Sequence, residues 1–234
     1  MARAPRLALA GELHYLIQRG HNQQAVFADD HDREAYLAML HEAAVQAGVA
    51  IHAYALLPEA VHLLATPGEV SSMSRMMQSL GRRYVAAYNR RHGRSGTLWE
   101  GRFRAGLIDA ASHGADAWVH IECLPVRAGL AAAAADWPWS SAAHYLGRRR
   151  DPLLVEHRSY WALGNTPFER ELAHALNLSN GVPGALAEAF QRSAMKGQAM
   201  GTDTFVAHVE AQARVSLAAR PRGRPPLRGR RKKA

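Results

Sequence analysis

Short apolar segments bounded by turn residues predict four β-strands in the first half of the chain. They cover residues 12–18, 49–56, 61–66 and 103–108. The first strand ends at Arg19-Gly20-His21-Asn22. The second and third are joined through Pro58-Glu59, so they form a hairpin.

Apolar residues at helical spacing predict two long helices among these strands. The first begins at the capping residues 29–32 and ends at Gly48, and the second runs from Ser71-Ser72 to about Arg91. A third helix begins at Ser112 and ends near Cys123 because Pro125 follows. Weaker helical segments lie near 167–178 and 203–213.

The order of these elements is β-α-β-β-α-β followed by a further helix, which predicts an α+β fold. We expect a ferredoxin-like core, in which an antiparallel sheet carries helices on one face, plus the additional helix. The predicted organisation is a core over residues 8–147, a helical extension over 148–219 and a disordered basic tail over 220–234.

Composition and charge narrow the classes of function. The 234 residues include one cysteine and no apolar run long enough to span a membrane, which argues against a disulfide scaffold and predicts a cytoplasmic protein. The net charge is +9, with 29 basic and 20 acidic residues. Eight bases lie after residue 219, and the remaining 21 bases and 20 acids leave a net charge of +1. Within that part, residues 75–104 hold eight arginines and one acid, a pattern typical of a polyanion binder.

Several short blocks occur in order over residues 11–147. They are Tyr15, Arg19-Gly20-His21-Asn22, 27–33, 52–58, His62-Leu63-Leu64, 89–93, Gly101-Arg102-Phe103, 125–129 and 137–141. In these blocks the chain resembles the REP-associated tyrosine transposases, a branch of the HUH single-tyrosine, single-strand DNA transposases. The resemblance implies a ferredoxin-like core, a DNA hairpin as partner and a homodimer.

The resemblance also implies a metal-dependent reaction at one site. In the family, two histidines separated by one apolar residue lie on one face of a strand and hold Mg²⁺ or Mn²⁺, which polarises the scissile phosphate. A tyrosine on the last core helix attacks that phosphate, and a polar residue four positions later completes the metal site.

This chain departs from the family pattern at three positions. Ala60 stands where the family has the first histidine, and only His62 of that pair remains. His120 stands at the position of the tyrosine, and Leu124 at that of the third ligand. Alanine and leucine offer a metal no lone pair, so we expect no cofactor and lost or impaired strand cleavage.

Two alternatives stay open from the sequence. In the first, His62, His120 and Glu122, with Glu59 nearby, form a rewired metal site, with His120 in a catalytic role and His62 and Glu122 as metal ligands. In the second, the chain is a dimeric DNA-binding repressor or accessory factor.

The residues expected to bind DNA fall into three groups. The turn after the first strand supplies Arg19, His21 and Asn22. The tail supplies Arg222 and Arg224 of an AT-hook-like Arg-Gly-Arg-Pro segment, which is expected to enter the minor groove of A·T-rich duplex DNA or, as a disordered basic arm, to bind any phosphate backbone. The third group is the arginine stripe, with Arg82, Arg83, Arg90, Arg91, Arg94, Arg102 and Arg104.

Overall fold

A computed structural model describes residues 7–213 of the chain. The strands are β1 (Leu13–Arg19), β2 (Val49–Leu57), β3 (Ala60–Pro67), β4 (Arg104–Ile108) and β5 (Ala199–Met200). The helices are α1 (Asp30–Ala47), α2 (Ser72–Arg91), α3 (Ala110–Glu122), α4 (Leu124–Arg127), α5 (Ala142–Tyr145), α6 (Arg158–Trp161), α7 (Pro167–Asn180), α8 (Gly184–Lys196) and α9 (Asp203–Ala213). Two short 3₁₀ helices cover His21–Gln23 and Ala134–Asp136.

The strands form one sheet in the order β2-β3-β1-β4-β5. β1 pairs antiparallel with β3 on one side and with β4 on the other, and β2 pairs antiparallel with β3. The short β5 joins the edge of β4 in parallel. The predicted α+β, ferredoxin-like core is therefore confirmed, and β5 extends it.

Helices α1 and α2 cover one face of the sheet. Their apolar side chains pack with the strands into a buried cluster around Tyr36, Leu40, Met76, Leu80 and Tyr84. Asp29 caps α1 through its side chain, and Gly48 ends it in the left-handed conformation at φ 66°. Ser71 precedes α2 as expected but makes no capping hydrogen bond from its side chain.

The opposite face of the sheet is covered by α3 and α8. Trp118 and Ile121 of α3 and Phe190 of α8 belong to a second buried cluster on this side. Sequence periodicity predicted α3, α7 and α9, but α8 was missed. Because α8 lies across β1 and β4, the second layer also contains residues beyond the predicted core. Within residues 7–213, no helix is both long and apolar enough to cross a bilayer.

Gly106 sets the distance between β4 and α8. A Cβ atom at this position would lie 2.8 Å from the Gln198 carbonyl oxygen and 2.9 Å from the Ser193 backbone carbon. Both neighbours are backbone atoms, so a side chain here forces the strand and the end of α8 apart.

We therefore expect Gly106→Ala to destabilise the fold by about 1–3 kcal/mol, because the added methyl group overpacks the β4–α8 contact. Gly81→Ala is the matched control. Gly81 lies inside α2, and a methyl group added there would meet no atom within 4 Å, so alanine should be neutral or mildly stabilising. Urea unfolding of both variants checks this, and an unchanged midpoint for Gly106→Ala would contradict the packing described.

Candidate functional site

A cavity of about 520 Å³ opens on the α3 and α8 side of the sheet. The ends of three strands form its floor, and α3, α4 and α8 form its walls. Its lining residues are Arg19, Gln23, Leu57, Glu59, Ala60, His62, His120, Leu124, Arg127, Ala128, Ala187, Glu188 and Gln191. Residues 60, 62, 120 and 124, the four positions that the sequence resemblance assigns to a catalytic motif, therefore share one cavity.

The two histidines of this cavity are joined through a tyrosine hydroxyl. Tyr15 lies on β1, and its hydroxyl oxygen is 2.6 Å from Nδ1 of His62 and 3.3 Å from Nε2 of His120. We assign the shorter contact as Tyr15 donating to His62, so that the Tyr15 oxygen accepts from the Nε2–H of His120. All three side chains are buried, and Nδ1 of His120 has no partner among the described residues.

Burial keeps these three groups uncharged. It lowers the pKa of His62 to about 3, with further contributions from His120 and Arg19. It also lowers the pKa of His120 to about 4, assisted by the charge of Arg127. The pKa of Tyr15 is raised well above its ordinary value by the same burial. A tyrosine that stays protonated is a weak nucleophile, which argues against Tyr15 as a substitute for the tyrosine that the resemblance implies.

The residues of this cavity do not fit the divalent metal that the family implies. Ala60 and Leu124 have no donor atom, and Nδ1 of His62 already accepts a hydrogen bond from Tyr15. Glu59 and Glu188 are the acidic residues in the cavity lining. In the described part of the chain, no group of three or more His, Cys, Asp and Glu side chains is arranged to hold a metal ion.

Glu122 lies elsewhere, which removes it from the rewired site considered from the sequence. Its side chain is fully buried, and its two oxygens are 2.5 Å from Oγ of Ser141 and 2.6 Å from Nε2 of His174. These partners belong to the segment before α5 and to α7. Glu122 therefore joins α3 to the C-terminal helices and is not among the residues that line the cavity.

The predicted DNA-binding turn is only partly directed to the cavity. Arg19 lines it, whereas His21 and Asn22 are exposed in the following 3₁₀ helix. Gln23, which had no predicted role, lines the cavity instead, and both Asn22 and Gln23 have positive φ. Arg222 and Arg224 lie outside the described residues.

Several arginines of the α2 stripe are engaged within the protein. Arg91 binds Asp29 and Asp32 at 2.6 Å each, and Arg83 is 2.5 Å from Glu42. Hydrogen bonds from Arg91 hold the pKa of Asp29 well below its usual value. These contacts join α2 to α1. They lie on the layer opposite to the cavity and account for Arg83 and Arg91 as part of the fold.

The remaining residues that sequence reasoning missed are Tyr15 and the α8 side chains Glu188 and Gln191. Tyr15 has a signal in the sequence, because it shares a strand face with Arg19 and hence with the cavity. For α8, the signal is Ala187, Phe190 and Ala194 at helical spacing after Pro183-Gly184.

Removing the Tyr15 hydroxyl should weaken the fold. Tyr15→Phe leaves Nδ1 of His62 and Nε2 of His120 buried without their partner, which costs about 1–3 kcal/mol. Tyr36→Phe is the control, because the buried Tyr36 hydroxyl has no hydrogen-bond partner in the described structure. Thermal and urea unfolding should show a loss of stability for Tyr15→Phe and none for Tyr36→Phe. Equal losses would mean that the Tyr15 hydrogen bonds contribute nothing.

The lowered pKa values of the two histidines also predict an acid sensitivity. Unfolding raises each pKa to about 6.5, so the unfolded chain binds protons that the folded chain excludes. The contribution of the two uncharged histidines to the free energy of unfolding is fully present above pH 6.5. It is lost as the pH falls towards about 4, at roughly 1.4 kcal/mol per pH unit for each histidine.

Urea unfolding between pH 7 and pH 4.5 checks this in the native chain and in a His62→Gln, His120→Gln double variant. The other histidines are common to both proteins, so the difference between their pH slopes reports these two. Identical slopes would show that both side chains titrate as they do in water.

Comparison with known proteins agrees with the fold. Residues 12–116 match the model of the family described as "Transposase IS200 like". No curated protein matches the chain. A solved REP-associated tyrosine transposase bound to a REP hairpin is 19% identical, with 67% of this chain and 92% of that chain covered and a TM-score of 0.52. A structure from Deinococcus radiodurans R1, whose name refers to the transposases, is 22% identical, with coverages of 44% and 84% and a TM-score of 0.35. Residues 12–116 thus match the IS200-like transposase family model, and the fold is similar to that of a solved REP-associated tyrosine transposase.

Proposed function

We propose that this protein binds single-stranded hairpin DNA at the His62–His120 cavity and does not cleave it by the reaction of its family. The observation that carries this proposal is the composition of the cavity. The positions that the sequence resemblance assigns to a transposase site line this cavity, but alanine, histidine and leucine stand at residues 60, 120 and 124.

Three features support DNA as the ligand. The cavity is open to solvent, and two arginines, Arg19 and Arg127, line it. The chain as a whole carries a net charge of +9, which favours association with a polyanion. The fold matches that of a transposase that was solved with a hairpin bound to it.

We infer the loss of strand cleavage from the burial and the protonation of the site residues. A nucleophile for phosphoryl transfer needs an accessible oxygen and a group that activates it. Within residues 7–213, the tyrosine hydroxyl that lies between the two histidines is that of Tyr15, which is 1% exposed and held protonated by burial. His120 is equally buried, and its pKa of about 4 reflects an environment that disfavours a charged adduct.

The rewired enzyme is the less favoured alternative, because Glu122 is occupied by Ser141 and His174 on another side of α3. The homodimer and the minor-groove role of the tail stay predictions. A repressor or accessory factor is compatible with the same DNA-binding activity and differs from the main proposal only in biological role.

A denaturing-gel assay tests the proposal. A labelled DNA hairpin with single-stranded flanks is incubated with the protein and Mg²⁺ or Mn²⁺, and a native gel of the same mixture measures binding. The comparison variant is Ala60→His, His120→Tyr, Leu124→Asn. A second version adds Tyr15→Phe, because the Tyr15 hydroxyl otherwise holds His62.

We expect the native chain to retain the hairpin without cleaving it, and at least one restored variant to give a cleaved strand or a covalent adduct. Cleavage by the native chain would overturn the loss of chemistry and favour a rebuilt site. Failure of the native chain to retain the hairpin would overturn the binding function.

A further inference from the structure

Three arginines at the ends of two neighbouring strands converge beside the main cavity. Arg19 at the end of β1, Arg104 at the start of β4 and Arg102 just before it line a second cavity of about 80 Å³. Its other lining residues are Ile17, Glu100, Gly101 and Met195. We call this cavity with Arg19, Arg102 and Arg104 the arginine cradle.

The strand register places the cradle on the same face as the main cavity. Ile17 of β1 is paired with Arg104 of β4, and Arg19 follows Ile17 on the same face of its strand. Met195 of α8 closes the cradle from above, and α8 also borders the main cavity. The helix α2 lies on the opposite face of the sheet, so its arginines do not contribute to either cavity.

The charges of the cradle are not neutralised by ion pairs. Within residues 7–213, none of Arg19, Arg102 and Arg104 lies within 4.0 Å of a carboxylate oxygen. All three are exposed, and Glu100 is the one acidic residue in the lining, which leaves the cradle with a formal charge of +2. By contrast, Arg75, Arg83 and Arg91 of α2 are each paired with an acidic side chain. Unpaired guanidinium groups around a small cavity are suited to bind a phosphate through several N–H donors.

The size and position of the cradle restrict the ligand further. A volume of 80 Å³ corresponds to about two to three water molecules, which admits one phosphate group but no base. Arg19 lines both the cradle and the main cavity. A strand whose phosphate occupies the cradle is therefore led past Arg19 into the main cavity.

We propose that the arginine cradle binds one backbone phosphate of the single-stranded flank of a DNA hairpin and so directs that flank into the His62–His120 cavity. This inference rests on the proposed function, because it assigns a part of the same ligand to a particular subsite. It distinguishes Arg19, Arg102 and Arg104 from the equally basic surface of α2.

Matched charge variants test the cradle. Arg19→Gln, Arg102→Gln, Arg104→Gln removes three charges from the cradle, and Arg82→Gln, Arg83→Gln, Arg90→Gln removes three from α2. The α2 residues are exposed, and the one ion pair lost, Arg83 with Glu42, is solvent-exposed and contributes little to stability. Circular dichroism and thermal unfolding confirm that both variants are folded before hairpin affinity is measured between about 50 and 200 mM salt.

We expect the cradle variant to lose about tenfold or more in affinity. A plot of the logarithm of the association constant against the logarithm of the salt concentration should have a slope shallower by about 0.7, the value for one phosphate of a single strand. The α2 variant should change affinity less than about threefold. Equal losses of hairpin affinity in the two variants, or no loss in the cradle variant, would contradict phosphate binding by the arginine cradle. If the native chain does not bind the hairpin at all, the proposed function is wrong, and so is the assignment of a phosphate site to the arginine cradle.

A series of hairpins, each with one uncharged methylphosphonate linkage, locates the phosphate. One position in the single-stranded flank should weaken binding to the native chain and have little further effect on the cradle variant, because the two changes remove the same contact. Linkages in the stem should give the same loss with both proteins. If the sensitive linkage lies in the stem, or if the losses add at every position, the assignment of the flank is wrong.

Discussion

The position of β1 at the centre of the sheet is the constraint on which the site depends. β1 is hydrogen-bonded to β3 on one side and to β4 on the other, so its residues are fixed in register with both neighbours. Alternation along the strand then directs Tyr15, Ile17 and Arg19 to one face. Tyr15 meets His62 of β3 and His120 of α3, and Arg19 reaches both cavities. A register shift of one residue would send all three side chains to the opposite layer.

The core elements were predictable because their signals are local. Apolar periodicity and turn residues located β1 to β4 and α1 to α3, with ends within about two residues of those observed. The C-terminal half carries weaker signals. α8 begins after Pro183-Gly184 and packs through small residues such as Ala187 and Ala194, which give little contrast between its buried and exposed faces. β5 has only two residues, and its pairing with β4 depends on tertiary contacts that no local pattern contains.

Site residues were predictable from spacing only where the strand geometry is simple. Residues 60 and 62 lie on one face of β3 because of the two-residue period, and both line the cavity as expected. Glu122 was misassigned because it is two residues from His120 on a helix, and such residues differ by about 200° in direction. It points to Ser141 and His174 instead. The same limit applies to the arginine stripe, because sequence proximity alone could not show that α2 and β4 present their arginines on different layers.

The histidines of the cavity are packed like residues of a protein interior. The arginines at its rim are exposed, as in a ligand-binding site. His62 and His120 are 4% and 1% exposed, uncharged at neutral pH and joined through Tyr15, so Nδ1 of His62 and Nε2 of His120 are hydrogen-bonded within the protein. At the rim, Arg19, Arg102 and Arg104 remain exposed and without carboxylate partners in the described structure. Mutual repulsion makes such a cluster unfavourable in the absence of an anion, and fold stability does not account for it. Hydrogen bonding within the interior and unpaired charge at the rim therefore both favour the proposed DNA binding over strand cleavage.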